Sequence, residues 1–441
     1  MKTRKHAIPK RTALFSLCFV FLFWIAAPVL TLSVEAKADV APVSPALYVL
    51  AEQNSMAMAG LRGGSISFEH DDFARAMNLS EIDSVTITQV PPVTDGELRV
   101  GQTVVNSGQT VSAANLSLLQ YTASGADITT SSFRFTVEDS PVEITCHLYL
   151  LDRANHSPTL SMVPKTSLNV STHRNITLYG TLPCYDPDGD ETIIEIVSYP
   201  ESGILILTDR KTGDYTFTPG ENYSGKDSFT YVARDKYGNY SASATVSLTV
   251  TKPTTSVVYA DMADVRSHNA ALTMTEQGIM SGTQVGSETY FYPARTVSRG
   301  EFVVMAMHAM GITKLPDTDR TVFADDSEIP DAMKSYVATA YELGYIQGET
   351  RADGQRCFSP NRAITRAEAA VILGNMVDAA VPTVTPTFSD STQIPAWAAP
   401  SIYSLHSMGL LPTSGGSVSP LSPVTRGDAA ELLCALMREV R

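Results

Sequence analysis

Toward the C-terminus the chain repeats one apolar pattern three times. Five residues open each copy: Val297-Ser298-Arg299-Gly300-Glu301, Ile364-Thr365-Arg366-Ala367-Glu368 and Val424-Thr425-Arg426-Gly427-Asp428. Apolar residues follow at the same offsets. They are Phe302, Met305, Ala306, Ala309 and Met310, then Ala369, Ile372, Leu373, Met376 and Val377, then Ala429, Leu432, Leu433, Leu436 and Met437. Positions i, i+3, i+4 and i+7 share one helix face, so the spacing predicts three helices that each bury a stripe. Identical offsets in three copies make the last third of the chain an internal repeat.

Upstream, from about residue 45 to 251, the period is shorter. Apolar and polar positions alternate in short runs broken by Gly, Asp, Asn and Pro, which predicts strands. The clearest runs are Thr192 to Ser198, Gly203 to Thr208, Asp214 to Thr218, Ser228 to Ala233 and Ala242 to Val250. In the fourth, Phe229, Tyr231 and Ala233 share one face. This region repeats as well. Ser131-Ser132-Phe133-Arg134-Phe135 matches Asp227-Ser228-Phe229-Thr230-Tyr231, Asp95-Gly96-Glu97-Leu98 matches Ser202-Gly203-Ile204-Leu205, and Tyr121-Thr122 matches Tyr215-Thr216. The offset is about one sandwich domain. The expectation is two tandem all-β sandwiches, residues 45–155 and 156–251, meeting near Asn155 to Pro158. Proline-spaced, stiff linkers follow at Lys252-Pro253-Thr254-Thr255 and at Val381-Pro382-Thr383-Val384-Thr385-Pro386.

The 441 residues suffice for about three domains. Lys+Arg 32 against Asp+Glu 46 gives a net charge of −14, which argues against a nucleic-acid partner. Basic Lys2, Arg4, Lys5, Lys10 and Arg11 precede an apolar run from Ala13 to Leu32, then the small-x-small Ala36-Lys37-Ala38. Residues 1–38 therefore read as a secretory signal peptide, with a retained membrane anchor as the alternative. Cys146, Cys184, Cys357 and Cys434 show no CxxC spacing, so no zinc or redox motif is expected. Cys146 and Cys184 flank a domain boundary and read either as a pair or as free buried thiols.

Two features carry chemistry. Asp186, Asp188 and Asp190 alternate around a Gly turn. Such carboxylates suit calcium, which takes six to eight oxygens; the alternative is an Asp/Gly turn held by its own hydrogen bonds. The spacing is not that of an EF-hand. In the repeated phrase, Ser298 with Glu301 and Thr365 with Glu368 form capping boxes, and Thr425 with Asp428 is a near match. Capping explains the hydroxyls and the acids. It does not explain Arg299, Arg366 and Arg426, since a cation in the first turn opposes the helix dipole. One explanation is an anionic ligand at the helix N-terminus, gripped by the guanidinium fork. The other is a tie between Arg and a neighbouring repeat's Asp.

The helical part, about residues 257 to 441, resembles S-layer homology (SLH) domains. Each copy begins with aromatic-x-Asp (Tyr259-Ala260-Asp261, Phe323-Ala324-Asp325, Phe388-Ser389-Asp390). A first helix ends at Gly278-Ile279-Met280, Gly344-Tyr345-Ile346 or Gly409-Leu410-Leu411. Then come Phe291-Tyr292-Pro293, Phe358-Ser359-Pro360 and, in the third copy, Val418-Ser419-Pro420, followed by the phrase. The resemblance implies an all-α pseudo-threefold bundle of three repeats, residues 257–313, 321–379 and 387–441. It implies that Arg299, Arg366, Arg426, Asp261, Asp325 and Asp390 line grooves for an anionic, often pyruvylated polymer attached to peptidoglycan. The family favours a Trp early in the first helix. Trp397 fits, whereas Asn269 and Met333 stand near that place in the other copies. Residues 157 to 251 resemble bacterial cadherin-like domains through Asp186-Pro187-Asp188-Gly189-Asp190, Tyr215-Thr216-Phe217-Thr218-Pro219, the Asp227 to Tyr231 strand, and Asp235 with Gly238-Asn239. In that family such aspartates often lie near calcium at domain junctions.

HExxH, GxSxG and Walker-type phrases are absent, and His268, His308 and His406 occupy unequal places in the repeats. The expectation is a non-enzymatic, exported surface protein in the cell wall of a bacterium. The SLH repeats anchor it, and the sandwiches act as spacer or adhesion modules toward other surface proteins. The alternatives are a carbohydrate-binding or hydrolytic protein active in residues 45–155, and a self-associating S-layer lattice subunit.

Overall fold

The computed structural model describes residues 55–440, apart from 78, 139, 161–166, 383–385, 387 and 414. The expected signal peptide (1–38) and the start of the expected first sandwich lie outside the described residues, as does part of the second linker.

Among the described residues the first sandwich has nine strands: β1 (Ser55–Leu61), β2 (Ser65–Ser67), β3 (Ser84–Gln89), β4 (Gly96–Val100), β5 (Thr103–Val104), β6 (Gln109–Ser112), β7 (Leu119–Ala123), β8 (Thr130–Val137) and β9 (Ile144–Leu151). One sheet runs β1-β9-β8-β3-β6 and the other β2-β7-β4-β5. Alternate residues of β8 (Phe133, Phe135 and Val137) are buried, as period two requires. Helix α1 (His70–Ala76) adds Phe73, whose ring meets Phe135 edge-on at 5.0 Å.

The second sandwich comprises β10 (Ser167–His173), β11 (Leu178–Thr181), β12 (Thr192–Ser198), β13 (Gly203–Asp209), β14 (Asp214–Pro219), β15 (Gly225–Asp235) and β16 (Ala244–Thr251), in sheets β10-β16-β15-β12 and β11-β14-β13. Phe229, Tyr231 and Ala233 of β15 are wholly buried on one face. Register corrects one internal match. Leu98 pairs with Tyr121, whereas Leu205 pairs with Phe217. Tyr121 therefore corresponds to Phe217 and not to Tyr215. A slip of two keeps every side chain on its own face, so alternation alone does not detect it. All four described cysteines are free: Cys146 is in the first core, and Cys184 packs beside the second.

The two sandwiches meet at the turn after β15. Gly238 (φ +93°) lies so close to sandwich one that an added Cβ would come within 1.8 Å of the Ala57 carbonyl oxygen. Tyr237 packs edge-on against Tyr149 at 5.2 Å, and the Arg75 guanidinium lies 4.4 Å above the Tyr240 ring.

Among the described residues six α-helices build the C-terminal part: α2 (His268–Glu276), α3 (Arg299–Ala309), α4 (Asp331–Glu342), α5 (Arg366–Met376), α6 (Ala399–Ser407) and α7 (Arg426–Val440). The phrase opens α3, α5 and α7. Each packs against the first helix of the next copy: α3 on α4, α5 on α6, and α7 on α2. All three capping boxes form, the third included; the Ser or Thr oxygen accepts the N–H three residues on at 3.1 to 3.3 Å. Burial extends beyond the expected stripe: Val303, Met307, Ala367, Ala370, Ala430 and Ala435 are buried as well. These helices are enclosed on several faces because two other copies surround them.

The start of each phrase closes a ring. Ile364 N–H donates to the Val297 carbonyl (3.1 Å), Val424 N–H to Ile364 (2.8 Å), and Val297 N–H to Val424 (2.9 Å). All three side chains are at most 2% exposed. The fourth residue must be small. Gly300, Ala367 and Gly427 donate their N–H to the carbonyls of Pro360, Pro420 and Pro293 in the next copy, at 2.8 to 2.9 Å.

The linker from the second sandwich is held rather than free. Glu276 accepts the N–H groups of Thr254 and Thr255 and lies 3.0 Å from His173 Nε2, while His173 Nδ1 is 2.8 Å from Asn269 Oδ1.

Candidate functional site

The three repeat-start aspartates do one structural job. Asp261 accepts the N–H groups of Phe291 and Tyr292 at 2.8 and 2.7 Å. Asp325 accepts those of Phe358 and Ser359 at 2.8 and 2.7 Å, and Asp390 those of Val418 and Ser419 at 3.0 and 2.7 Å. The second residue of each pair is left-handed: φ is 57° at Tyr292, 60° at Ser359 and 53° at Ser419. Non-glycine residues adopt this region at a cost, which the paired carboxylate bonds offset. Burial would raise the Asp390 carboxyl, but the bonds from Val418, Ser417 and Ser419 outweigh it and hold it below the ordinary range.

The helix starts are occupied by the neighbouring copy. The N–H of the repeated Arg goes to the next copy: Arg299 to the Arg362 carbonyl, Arg366 to Ser422 and Arg426 to Arg295, at 2.8 to 3.0 Å. With the next N–H bound to Pro360, Pro420 or Pro293, and the one after it bound to the cap, no first-turn N–H is left for an anion. The guanidinium remains the one candidate for ligand contact within each phrase.

The three guanidinium groups differ. Arg366 donates from Nε to the Val418 carbonyl (2.7 Å) and from Nη2 to Pro412 (2.8 Å), with Asp428 3.4 Å away. Arg426 donates from Nε to Phe291 and from Nη2 to Ser281, both at 2.8 Å, and lies over the Phe291 ring. These two tie copy to copy. Arg299 does not repeat the pattern. Its nearest acid is Glu368 at 3.6 Å, its guanidinium stands 5.5 Å over Phe358, and its buried Nε has no acceptor. Burial lowers the Arg299 pKa. Glu368 is pulled the other way: burial would raise it, but Arg362, the Thr365 N–H and Arg299 bring it down to about 2.

The positions that the resemblance assigns to the grooves are unequal too. Trp397 is 59% exposed. Met333 packs beneath Gly300, and Asn269 faces His173 of the second sandwich. Beside Asp261, a cleft of about 610 Å³ is lined by Thr283, Tyr292, Pro293, Ala294 and Arg295. Nothing in the sequence marked Tyr292 as a groove residue apart from its place between Phe291 and Pro293.

In the second sandwich Asp186, Asp188 and Asp190 do converge, with one carboxylate oxygen from each within 4.8 Å of the others. Asp186 Oδ1 accepts the N–H groups of Asp188 and Asp190, so the turn expected from self-bonding is present. Its Oδ2 is buried without a partner, and burial raises this carboxyl. Asp188 accepts the His156 N–H at 2.7 Å, and Asp190 lies 2.8 Å from the Lys236 ammonium. Three converging carboxylates, one of them with an orphan oxygen, are a donor set that fits a hard cation. Sequence reading missed His156 and Lys236, which lie 32 and 46 residues from their partners.

In the first sandwich a polar cleft of about 370 Å³ is lined by Pro92, Asp95, Thr130, Ser131, Ser132, His147, Leu148 and Tyr149. Asp95 is the one carboxylate in that lining, and it accepts a bond from Ser131 at 3.1 Å.

Residues 322–370 and 387–430 match the S-layer homology domain, and residues 155–252 match the bacterial cadherin-like domain. The chain thus carries S-layer homology domains and a bacterial cadherin-like domain. Residues 257–313, with the same ring and aspartate contacts, form a further copy. Three curated proteins share stretches with it. Surface-layer 125 kDa protein of Lysinibacillus sphaericus is 30% identical over 116 residues, 26% of this chain and 9% of that protein. Exoglucanase XynX of Acetivibrio thermocellus is 30% identical over 121 residues, 27% and 11%. Amylopullulanase of Thermoanaerobacterium thermosulfurigenes is 29% identical over 121 residues, 27% and 6%. The chain spans about a tenth or less of these relatives.

Proposed function

We propose that this chain is a non-enzymatic, exported protein of a bacterial cell wall. Its three SLH repeats form a pseudo-threefold bundle that grips an anionic secondary polymer linked to peptidoglycan, and the two sandwiches project outward as spacer or adhesion modules. The carrying observation is Arg299. Of three equivalent cations it alone keeps a buried, unpaired Nε, beside Glu368 and Phe358 of the second copy. A planar fork with a spare donor suits the carboxylate of an acidic sugar or ketal. Arg366 and Arg426 serve the grooves by holding the walls together, with Trp397 and Tyr292 offering exposed rings.

The hydrolytic alternative needs two carboxylates flanking a cleft. Among the described residues, the sandwich-one cleft offers only Asp95, which favours the non-enzymatic reading. Calcium belongs to the same proposal: Asp186, Asp188 and Asp190 would hold it beside Asn155 and His156, where the sandwiches join. Bound calcium would supply charge that satisfies the Asp186 oxygen and stiffens the loop.

The test is calorimetric titration of soluble wall polymer into the full chain and into Arg299→Met. Binding is expected with the wild type and lost in the variant. Equal binding by both would remove Arg299 from the site.

A further inference from the structure

Lys236 is placed with care. Asp235, one residue earlier, is 1% exposed and fixes the turn by accepting the N–H groups of Tyr237 and Asn239, both at 2.9 Å. The fixed turn delivers the Lys236 ammonium to 2.8 Å from Asp190 Oδ1, an oxygen of the three-carboxylate loop. Asp186, 5% exposed, has its unpaired Oδ2 in that loop. The loop therefore has an unsatisfied anionic oxygen and, beside it, a tethered monovalent cation.

We infer that Lys236 is a built-in competitor for the divalent cation at this loop. Calcium would contact its ligand oxygens at about 2.3–2.6 Å. An ammonium bonded to the same Asp190 oxygen would lie within a few ångströms of it, and like charges at that range repel strongly. The two occupants exclude each other, so calcium binds only by displacing Lys236. Displacement is feasible because the side chain is 49% exposed and its ammonium already lies 4.8 Å from the Tyr237 ring, an alternative resting place. Without calcium, Lys236 neutralises part of the loop and keeps the junction folded. With calcium, it moves toward Tyr237, whose ring packs on Tyr149 of the first sandwich. The lysine thus sets a threshold: the loop ignores low calcium and responds to high calcium.

This rests on the calcium reading given above, and the experiment separates the two. Calcium is titrated by calorimetry into the full chain, into Lys236→Ala and into Lys236→Arg, up to about 10 mM, above the weak end for extracellular modules. Lys236→Ala is expected to bind about tenfold more tightly than wild type, with Lys236→Arg close to wild type. Asp190→Asn in the Lys236→Ala background is expected to abolish the gain. Equal affinity in wild type and Lys236→Ala overturns the competitor role while leaving calcium at the loop. No binding by any variant overturns the calcium reading, and the competitor role with it. A gain that survives Asp190→Asn places the ion elsewhere and also overturns it.

Discussion

Ile364 donates its backbone N–H to the carbonyl oxygen of Val297 at 3.1 Å, one side of a triangle closed through Val424. Each copy supplies one corner, so no copy completes its own centre. Ile364 is wholly buried there. Ile364→Ala is expected to lower stability by about 2–5 kcal/mol. In urea unfolding followed by circular dichroism, the helical signal should be lost in one transition. Sequential loss of single copies would show that the ring does not couple them.

Arg366 and Arg299 occupy the same place in two copies and should respond oppositely. Arg366→Met leaves the carbonyls of Val418 and Pro412 without donors and should cost about 2–4 kcal/mol. Arg299→Met removes a buried, poorly paired charge, so stability should change by less than about 1 kcal/mol, or rise. Denaturant midpoints of the two variants check both values. Arg366 holds the fullest phrase, yet it is the saturated one.

Glu368 makes the bundle acid-sensitive. Its carboxyl falls from an ordinary 4.5 to about 2 in the fold. A depressed carboxylate stabilises fully above its unfolded value and loses that contribution as pH falls through the folded one. Unfolding free energy should therefore drop between about pH 4.5 and 2, by on the order of 2 kcal/mol. Glu368→Gln should be less stable at neutral pH and show a shallower decline over that window.

Gly238 sets the contact between the sandwiches. Any side chain there is strained by φ +93° and collides with the Ala57 carbonyl. Gly238→Ala should separate the modules without unfolding either core. Limited proteolysis should then cut near residues 152–158 faster than in the wild type.

Much of the fold was legible because its causes are local. The capping boxes at Ser298, Thr365 and Thr425 need residues only three apart, and the buried face of β15 needs alternation over five. The roles within the site were not, because their partners are remote. Whether Arg366 is free or bound depends on Val418, 52 residues away, and Arg426 depends on Phe291, 135 away. The phrase marks three equal arginines, and only packing distinguishes Arg299. Repeat position put Asn269 where the family favours Trp, but that its side chain faces His173 also required the fold. The aspartates were found as a class, but their bonds to the loops ending in Tyr292, Ser359 and Ser419 required the fold.

The central claim is that wall attachment runs through the secondary polymer and Arg299. It is tested most directly by sedimenting the full chain with purified cell-wall sacculi, before and after the polymer is stripped. Wild type should pellet with intact sacculi and stay in solution with stripped ones, and folded Arg299→Met should stay in solution with both. Pelleting that survives stripping, or Arg299→Met pelleting as wild type does, would contradict it.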